Sequence, residues 1–224
     1  MKTPRMATIR RVALLGAALA AFAVVGAAQQ RNINFELLAA ARAGSEATVR
    51  ALLDQGASPD SRNRLGDTPT NIAARDGNAA LAKLLIERGA DVNLPNLARV
   101  TPLMSAAYGG HAEIVKLLLV GKADLEAVDR VRKTAMVYAA GNGNAACVQA
   151  LLDAGVGVNA RYANDDTALM WAVAYGKADN VKLLLARGAD LAARDDRGKT
   201  ALVIATEQQQ AEVAALLRAA GAKE

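Results

Sequence analysis

One histidine and one cysteine, His111 and Cys147, are all the imidazole and thiol this chain possesses. A metal centre built from His and Cys needs several such ligands, and these two cannot close one. A Ser-His-Asp or Cys-His nucleophile would have to use His111, and no Gly-x-Ser-x-Gly turn accompanies it. Gly198-Lys199-Thr200 has the ending of a phosphate-binding loop, but Ala193 stands where the leading glycine belongs. Asp165-Asp166 and Asp195-Asp196 read as solvated turn residues; a carboxylate acid/base pair across neighbouring turns is the alternative they leave open. Cys147 reads as a small buried apolar residue on a helix, with a redox sensor or an intermolecular bridge as the alternative. The expectation is therefore a chain with no catalytic residue, no cofactor and no metal.

The chemistry that remains is contact chemistry. All four tyrosines and the one tryptophan, Tyr108, Tyr138, Tyr162, Trp171 and Tyr175, fall within the middle of the sequence. Trp171 and Tyr175 are four residues apart and share one face of a helix. Tyr and Trp bring large area and a polar tip, which is why they concentrate at binding hot spots. Arg130, Arg132 and Lys133 form a basic cluster, and Asp165 and Asp166 an acidic one. Tyr138 and Trp171 have a second reading, since they would equally fill space between packed helices; Tyr108 and Tyr175 are the better contact candidates.

The elements that position these residues follow from a repeat. Thr68, Thr101, Thr134, Thr167 and Thr200 are spaced 33 residues apart, and Phe35 lies 33 before the first of them. Each Thr suits a helix N-cap, its hydroxyl accepting from a free backbone N–H. Pro69 and Pro102 follow at the first helical position, where a missing N–H costs nothing. Ala73-Ala74, Ala106-Ala107 and Ala139-Ala140 keep that helix thin enough for close neighbours. Gly77, Gly110, Gly143 and Gly176 turn the chain into a second helix, whose Leu84-Leu85, Leu117-Leu118, Leu151-Leu152 and Leu183-Leu184 face inward. Gly56, Gly89, Gly155 and Gly188 follow where a left-handed residue ends the helix. In the third copy Lys122 takes that place; either the helix ends a residue sooner or Lys122 is left-handed. Thr70 stands where the other copies have a large apolar residue, which marks the second copy as the weakest internal one.

The period of 33, the phrases "TPLMSAA" and "TALMWAV", and the "GH", "LLL" and "GAD" that follow resemble the ankyrin repeat. The resemblance covers everything after the first 28 residues or so. It implies an all-α solenoid of paired antiparallel helices with β-hairpin or finger loops. Six copies are expected, over about 32–64, 65–97, 98–130, 131–163, 164–196 and 197–224, the first and last acting as caps. It gives His111 a structural role opening a second helix. The family often has His three residues after the opening Thr, bonding across the finger. Here those positions are Asn71, Met104, Val137, Met170 and Val203, so that polar network is expected to be replaced by packing. First helices and fingers line the concave surface in such arrays. The aromatics would then form a groove on the order of 20–25 Å long, rimmed by the charged fingers.

Formal net charge is +5, yet Lys2, Arg5, Arg10 and Arg11 supply most of the excess and no acid lies in the first 28 residues. That stretch has a basic start, a 17-residue apolar run from Val12 to Ala28, and Gly26 and Ala28 at the −3 and −1 positions of a cleavage site before Gln29. A cleaved export signal of the general type is expected, with a retained anchor as the alternative. Arg10-Arg11 alone does not make a twin-arginine signal, and no Cys near the cut offers a lipid anchor. The acidic finger interrupts any basic stripe, so nucleic acid is not an expected partner.

The functional expectation is a monomer that binds another protein through its groove and fingers, with no stable membrane insertion once the signal is removed. It would reside in the periplasm of a Gram-negative bacterium, or be secreted elsewhere. The alternatives are an immunity-type inhibitor of a toxic enzyme, and an enzyme or small-ligand binder using the groove.

Overall fold

Threonine hydroxyls start the first helix of every pair after the first, as the spacing requires. In the computed structural model, which describes residues 29–142 and 144–223, Thr68 Oγ1 accepts from the Asn71 N–H at 3.2 Å and Thr101 from Met104 at 3.3 Å. Thr134, Thr167 and Thr200 cap their helices in the same way at 3.3–3.4 Å. The export-signal segment and the Gly143 turn lie outside the described residues.

Twelve helices and one 3₁₀ turn result, with no strand among the described residues. They are α1 (29–42), α2 (Glu46–Asp54), α3 (Pro69–Asp76), α4 (Ala79–Glu87), α5 (Pro102–Gly109) and α6 (Ala112–Val120). There follow α7 (Ala135–Gly141), α8 (Ala145–Asp153), α9 (Ala168–Ala174), α10 (Ala178–Ala186), α11 (Ala201–Glu207) and α12 (Ala211–Ala219). The first helices stack α3 on α5 on α7 on α9 on α11, and the second helices stack α2 on α4 on α6 on α8 on α10 on α12. Ala74, Ala106, Ala107, Ala139, Ala140 and Ala172 are fully buried where first helices meet. One continuous apolar core runs the length of the stack, so each pair buries its face mainly against its neighbours. This is the all-helical solenoid of paired helices that the resemblance implies.

Five finger loops project between the pairs. In each, the N–H of the first residue donates to the carbonyl four residues on: Asn63 to Asp67, Asn96 to Val100, Asp129 to Lys133, Tyr162 to Asp166 and Asp195 to Lys199. The closure is hairpin-like, but no β-strand forms.

Particular residues depart from, or decide between, the expectations. Phe35, in the column of the opening Thr, lies inside α1 and is largely exposed. Lys122 is left-handed (φ 63°), while α6 ends in register with its neighbours. The side-chain network across the finger persists in the second copy. Asn71 Oδ1 accepts from the Thr68 N–H at 2.9 Å, and its Nδ2 donates to the Leu94 carbonyl at 3.3 Å. Thr70 is fully buried, and its hydroxyl has no hydrogen-bond partner among the described residues. His111 sits at the start of α6 with Nε2 3.3 Å from the Arg75 carbonyl. A Cβ placed on Gly77 would lie 2.6 Å from its ring, so that glycine is the space the imidazole occupies. Cys147 is buried and unpaired, and burial pushes its thiol pKa up.

Candidate protein-binding surface

Four of the five tyrosine and tryptophan residues form one ladder across the first helices. Tyr108 at the end of α5 meets Tyr138 of α7 edge to face, with centroids 5.8 Å apart. Trp171 of α9 and Tyr175 just beyond it stack at 6.0 Å. Lys133 joins the two pairs, its Nζ 5.7 Å from the Tyr138 centroid and 4.9 Å from that of Trp171. A cation over the negative face of a ring is attracted to its quadrupole. Lys133 is therefore part of the ladder and not of a charged rim, which corrects the sequence expectation.

The ladder is anchored and open at once. The Tyr138 hydroxyl donates to Asp129 Oδ2 at 2.6 Å. Burial, then that hydrogen bond and charge, pushes the phenol pKa well above its ordinary value. Tyr138 and Trp171 are half-buried against the core, so they pack between helices as well as present a face. Trp171 Nε1 is buried with no hydrogen-bond partner among the described residues. Tyr108 and Tyr175 are 56% and 47% exposed, and it is these two that offer free area.

The fifth aromatic, Tyr162, lies elsewhere. It opens the fourth finger and lines a cleft of about 810 Å³ among the second, third and fourth fingers. Its hydroxyl is buried with no hydrogen-bond partner among the described residues; burial, with Glu126 beside it, raises the phenol pKa. Arg130 and Arg132 line the same cleft, joined there by Arg99 and Arg161, two residues the sequence reading passed over. A signal existed: Arg99 and Arg132 are 33 apart, one column of the repeat.

The acidic pairs are not uniformly solvated turns. Asp195 is only 5% exposed. Its Oδ1 accepts from the Arg197 and Lys199 N–H groups at 2.9 and 2.8 Å, and Oδ2 accepts from the Arg197 guanidinium. Burial pushes this carboxyl up, but those hydrogen bonds and the guanidinium charge outweigh it and hold the pKa below the ordinary value. Asp166 is half-buried beside Trp171 and Arg197. Burial first, then the Asp195 charge, pushes its carboxyl up to about 6, against the opposing pull of Arg197. Asp165 and Asp196 are exposed, as expected.

Asn180 also escaped the sequence reading. It is buried on α10, and its Nδ2 donates to the Ala139 and Ala140 carbonyls at 3.0 and 2.8 Å. Those carbonyls belong to the last turn of α7, where intrahelical partners run out.

Among the described residues no group of three or more His, Cys, Asp or Glu is placed to hold a metal ion. Nor is any helix among them long and apolar enough to cross a membrane. No curated protein matches the chain. The family model described as "Ankyrin repeats (3 copies)" matches residues 37–129, 103–195 and 136–223. Ankyrin repeats are in general protein–protein interaction modules. With a matching model along nearly all of the stack, and Thr-capped helix pairs beneath it, the chain belongs to the ankyrin-repeat family.

Proposed function

We propose that the chain is an exported, non-catalytic binding protein that holds a partner protein against its aromatic ladder. The observation that carries this is the run Tyr108, Tyr138, Lys133, Trp171, Tyr175, half-buried at its centre and open at both ends. Such a run offers rigid area that loses little side-chain freedom on contact, and truncating a hot-spot residue of this kind commonly costs at least about 2 kcal/mol of binding. Export is supported by the basic start, apolar run and small residues before Gln29. In a Gram-negative host this places the partner in the periplasm. Within the stack, the first and last helix pairs act as caps.

The test is capture from the exported fraction with protein beginning at Gln29, beside the Tyr108→Ala plus Tyr175→Ala variant. Both side chains are exposed, so the variant folds. One protein retained by the parent and lost from the variant is the expected result. A partner held equally by both overturns the ladder as the binding surface.

A further inference from the structure

The cleft that Tyr162 lines owes its form to a break in a regular pattern. In the first, second, third and fifth fingers the opening residue is Asn63, Asn96, Asp129 or Asp195. Each uses its Oδ1 to accept two backbone N–H groups of its own finger, as Asn63 does from Leu65 and Asp67 at 2.8 and 3.0 Å. The fourth finger has Tyr162 in that column, with no such oxygen to give. Neighbouring fingers are also tied together. Leu97 N–H donates to the Leu65 carbonyl, Arg130 to Ala98, and Asp196 to Asn164. Among the described residues no matching bond joins Ala163 to Val131, which leaves a gap in this series of ties between the third and fourth fingers.

That gap is lined with positive charge. Arg99, Arg130 and Arg132 are exposed there, and among the described residues their guanidinium groups make no hydrogen bond or ion pair. Arg161 is held in place by donating to the Asp165 and Arg194 carbonyls at 2.7 and 2.5 Å. Two acids line the same cleft. Asp129 already accepts from two backbone N–H groups and the Tyr138 hydroxyl; of the two, only Glu126 makes no side-chain hydrogen bond or ion pair among the described residues.

Backbone conformation adds a second observation. The fourth residue of every finger is left-handed: Gly66, Arg99, Arg132, Asp165 and Gly198, with φ between 57° and 78°. Glycine adopts this region freely, and a long side chain does so at a cost. The two fingers that face the cleft from one side carry arginine there. Strain of this kind persists where surrounding structure or function maintains it.

We infer that this cleft is a binding site for an acidic peptide segment of the partner protein, its carboxylates seated among Arg99, Arg130, Arg132 and Arg161. The inference rests on the protein-binding reading and names the chemistry of the partner. Guanidinium pairs carboxylate in a planar, two-bond geometry. The cleft joins the aromatic ladder through the Asp129–Tyr138 hydrogen bond, so one chain segment can lay acids in the cleft and apolar side chains on the ladder.

The test uses a fluorescein-labelled poly-glutamate peptide and fluorescence anisotropy at low and physiological salt. The parent binds, and more weakly as salt rises. Arg99→Gly plus Arg132→Gly removes two charges and gives the backbone the residue it favours. Binding falls at least about tenfold while the urea midpoint does not drop, so misfolding is not the cause. Arg50→Gln, an exposed arginine on α2, leaves binding unchanged. The inference is overturned if the parent does not bind the peptide, or if the double glycine variant binds as tightly as the parent. It is also overturned if Arg50→Gln weakens binding equally, or if inorganic phosphate at the same charge concentration displaces the peptide. Captured partner held by the glycine variant but lost from Tyr108→Ala plus Tyr175→Ala would sink the acidic cleft and leave the protein-binding reading standing.

Discussion

Lys122 holds φ at 63° in a column where the other helix pairs place Gly56, Gly89, Gly155, Gly188 and Gly221, all left-handed. A Cβ in this conformation crowds the following carbonyl at about 1–2 kcal/mol, partly offset because glycine gains freedom in the unfolded chain. Lys122→Gly is therefore expected to stabilise the protein by roughly 0.5 kcal/mol, read as a higher urea midpoint at constant slope. Asp166 strains electrostatically instead. Its pKa rises from 3.8 to about 6 on folding. A group raised in this way contributes stability that is fully present below pH 3.8 and is lost as pH climbs through about 6. Asp166→Asn is expected to raise the melting temperature at neutral pH, and the gain should vanish below the ordinary carboxylate range. Because Asp166 is only half-buried, solvent screening keeps the effect on the order of 1 kcal/mol or less. Equal melting temperatures for the two proteins at neutral pH would mean that burial and the neighbouring carboxylates cost the charged Asp166 nothing.

At the scale of single helices, α3 carries the clearest flaw. Its column reads Thr70, Leu103, Met136, Leu169 and Leu202 down the stack. The Thr70 hydroxyl is buried with no partner among the described residues, and a group in that state typically costs about 1–3 kcal/mol. Thr70→Val keeps the shape and removes the hydroxyl, and a gain of about 1 kcal/mol in chemical unfolding is expected. Loss of stability instead would mean that the hydroxyl is satisfied by ordered water. This weakness was legible because a column of the repeat records burial directly. So were the Thr caps and the left-handed glycines, fixed by neighbours close in sequence, and the His111 position, fixed by its register in the repeat. What escaped has a different origin. Asp195 looked like a solvated acid because its burial comes from its own finger's N–H groups and Arg197, and composition does not record who surrounds a turn. Tyr162 reads from the sequence as a finger residue, yet it is counted with the ladder aromatics as lining one groove. Its column, Asn63, Asn96, Asp129, Tyr162 and Asp195, held the information that it belongs to a finger with altered chemistry. Lys133 was grouped with Arg130 and Arg132 by sequence adjacency, yet it opens onto the ladder while they face the cleft.

On the scale of the whole molecule, two layers run side by side with different continuity. The helical layer is unbroken, since α5 packs on α7 and α7 on α9 through fully buried alanines. The finger layer is divided. The first two fingers are tied by the Leu97–Leu65 bond and by the Arg62 guanidinium, which donates to the Pro95 carbonyl at 2.7 Å. The second and third fingers are tied by the Arg130–Ala98 bond. The fourth and fifth share the Asp196–Asn164 bond and the reach of Arg161 to Arg194. Between the third and fourth, Val128 stands in the column that Arg62 and Arg161 occupy elsewhere, and among the described residues no backbone bond replaces that tie. Each pair in a solenoid is stabilised by its neighbours, so opening at one junction need not spread along the helices. Amide exchange separates the two layers because protection reports local opening. Leu97, Arg130 and Asp196, each a donor across a finger junction, are expected to exchange slowly, while Ala163 exchanges as an open loop amide. Amides of α7 and α9, directly beneath the same junction, should remain protected. Protection of Ala163 equal to that of Arg130 would mean that the third and fourth fingers close on each other in solution. The arginine-lined cleft would then have to open before any partner could enter it.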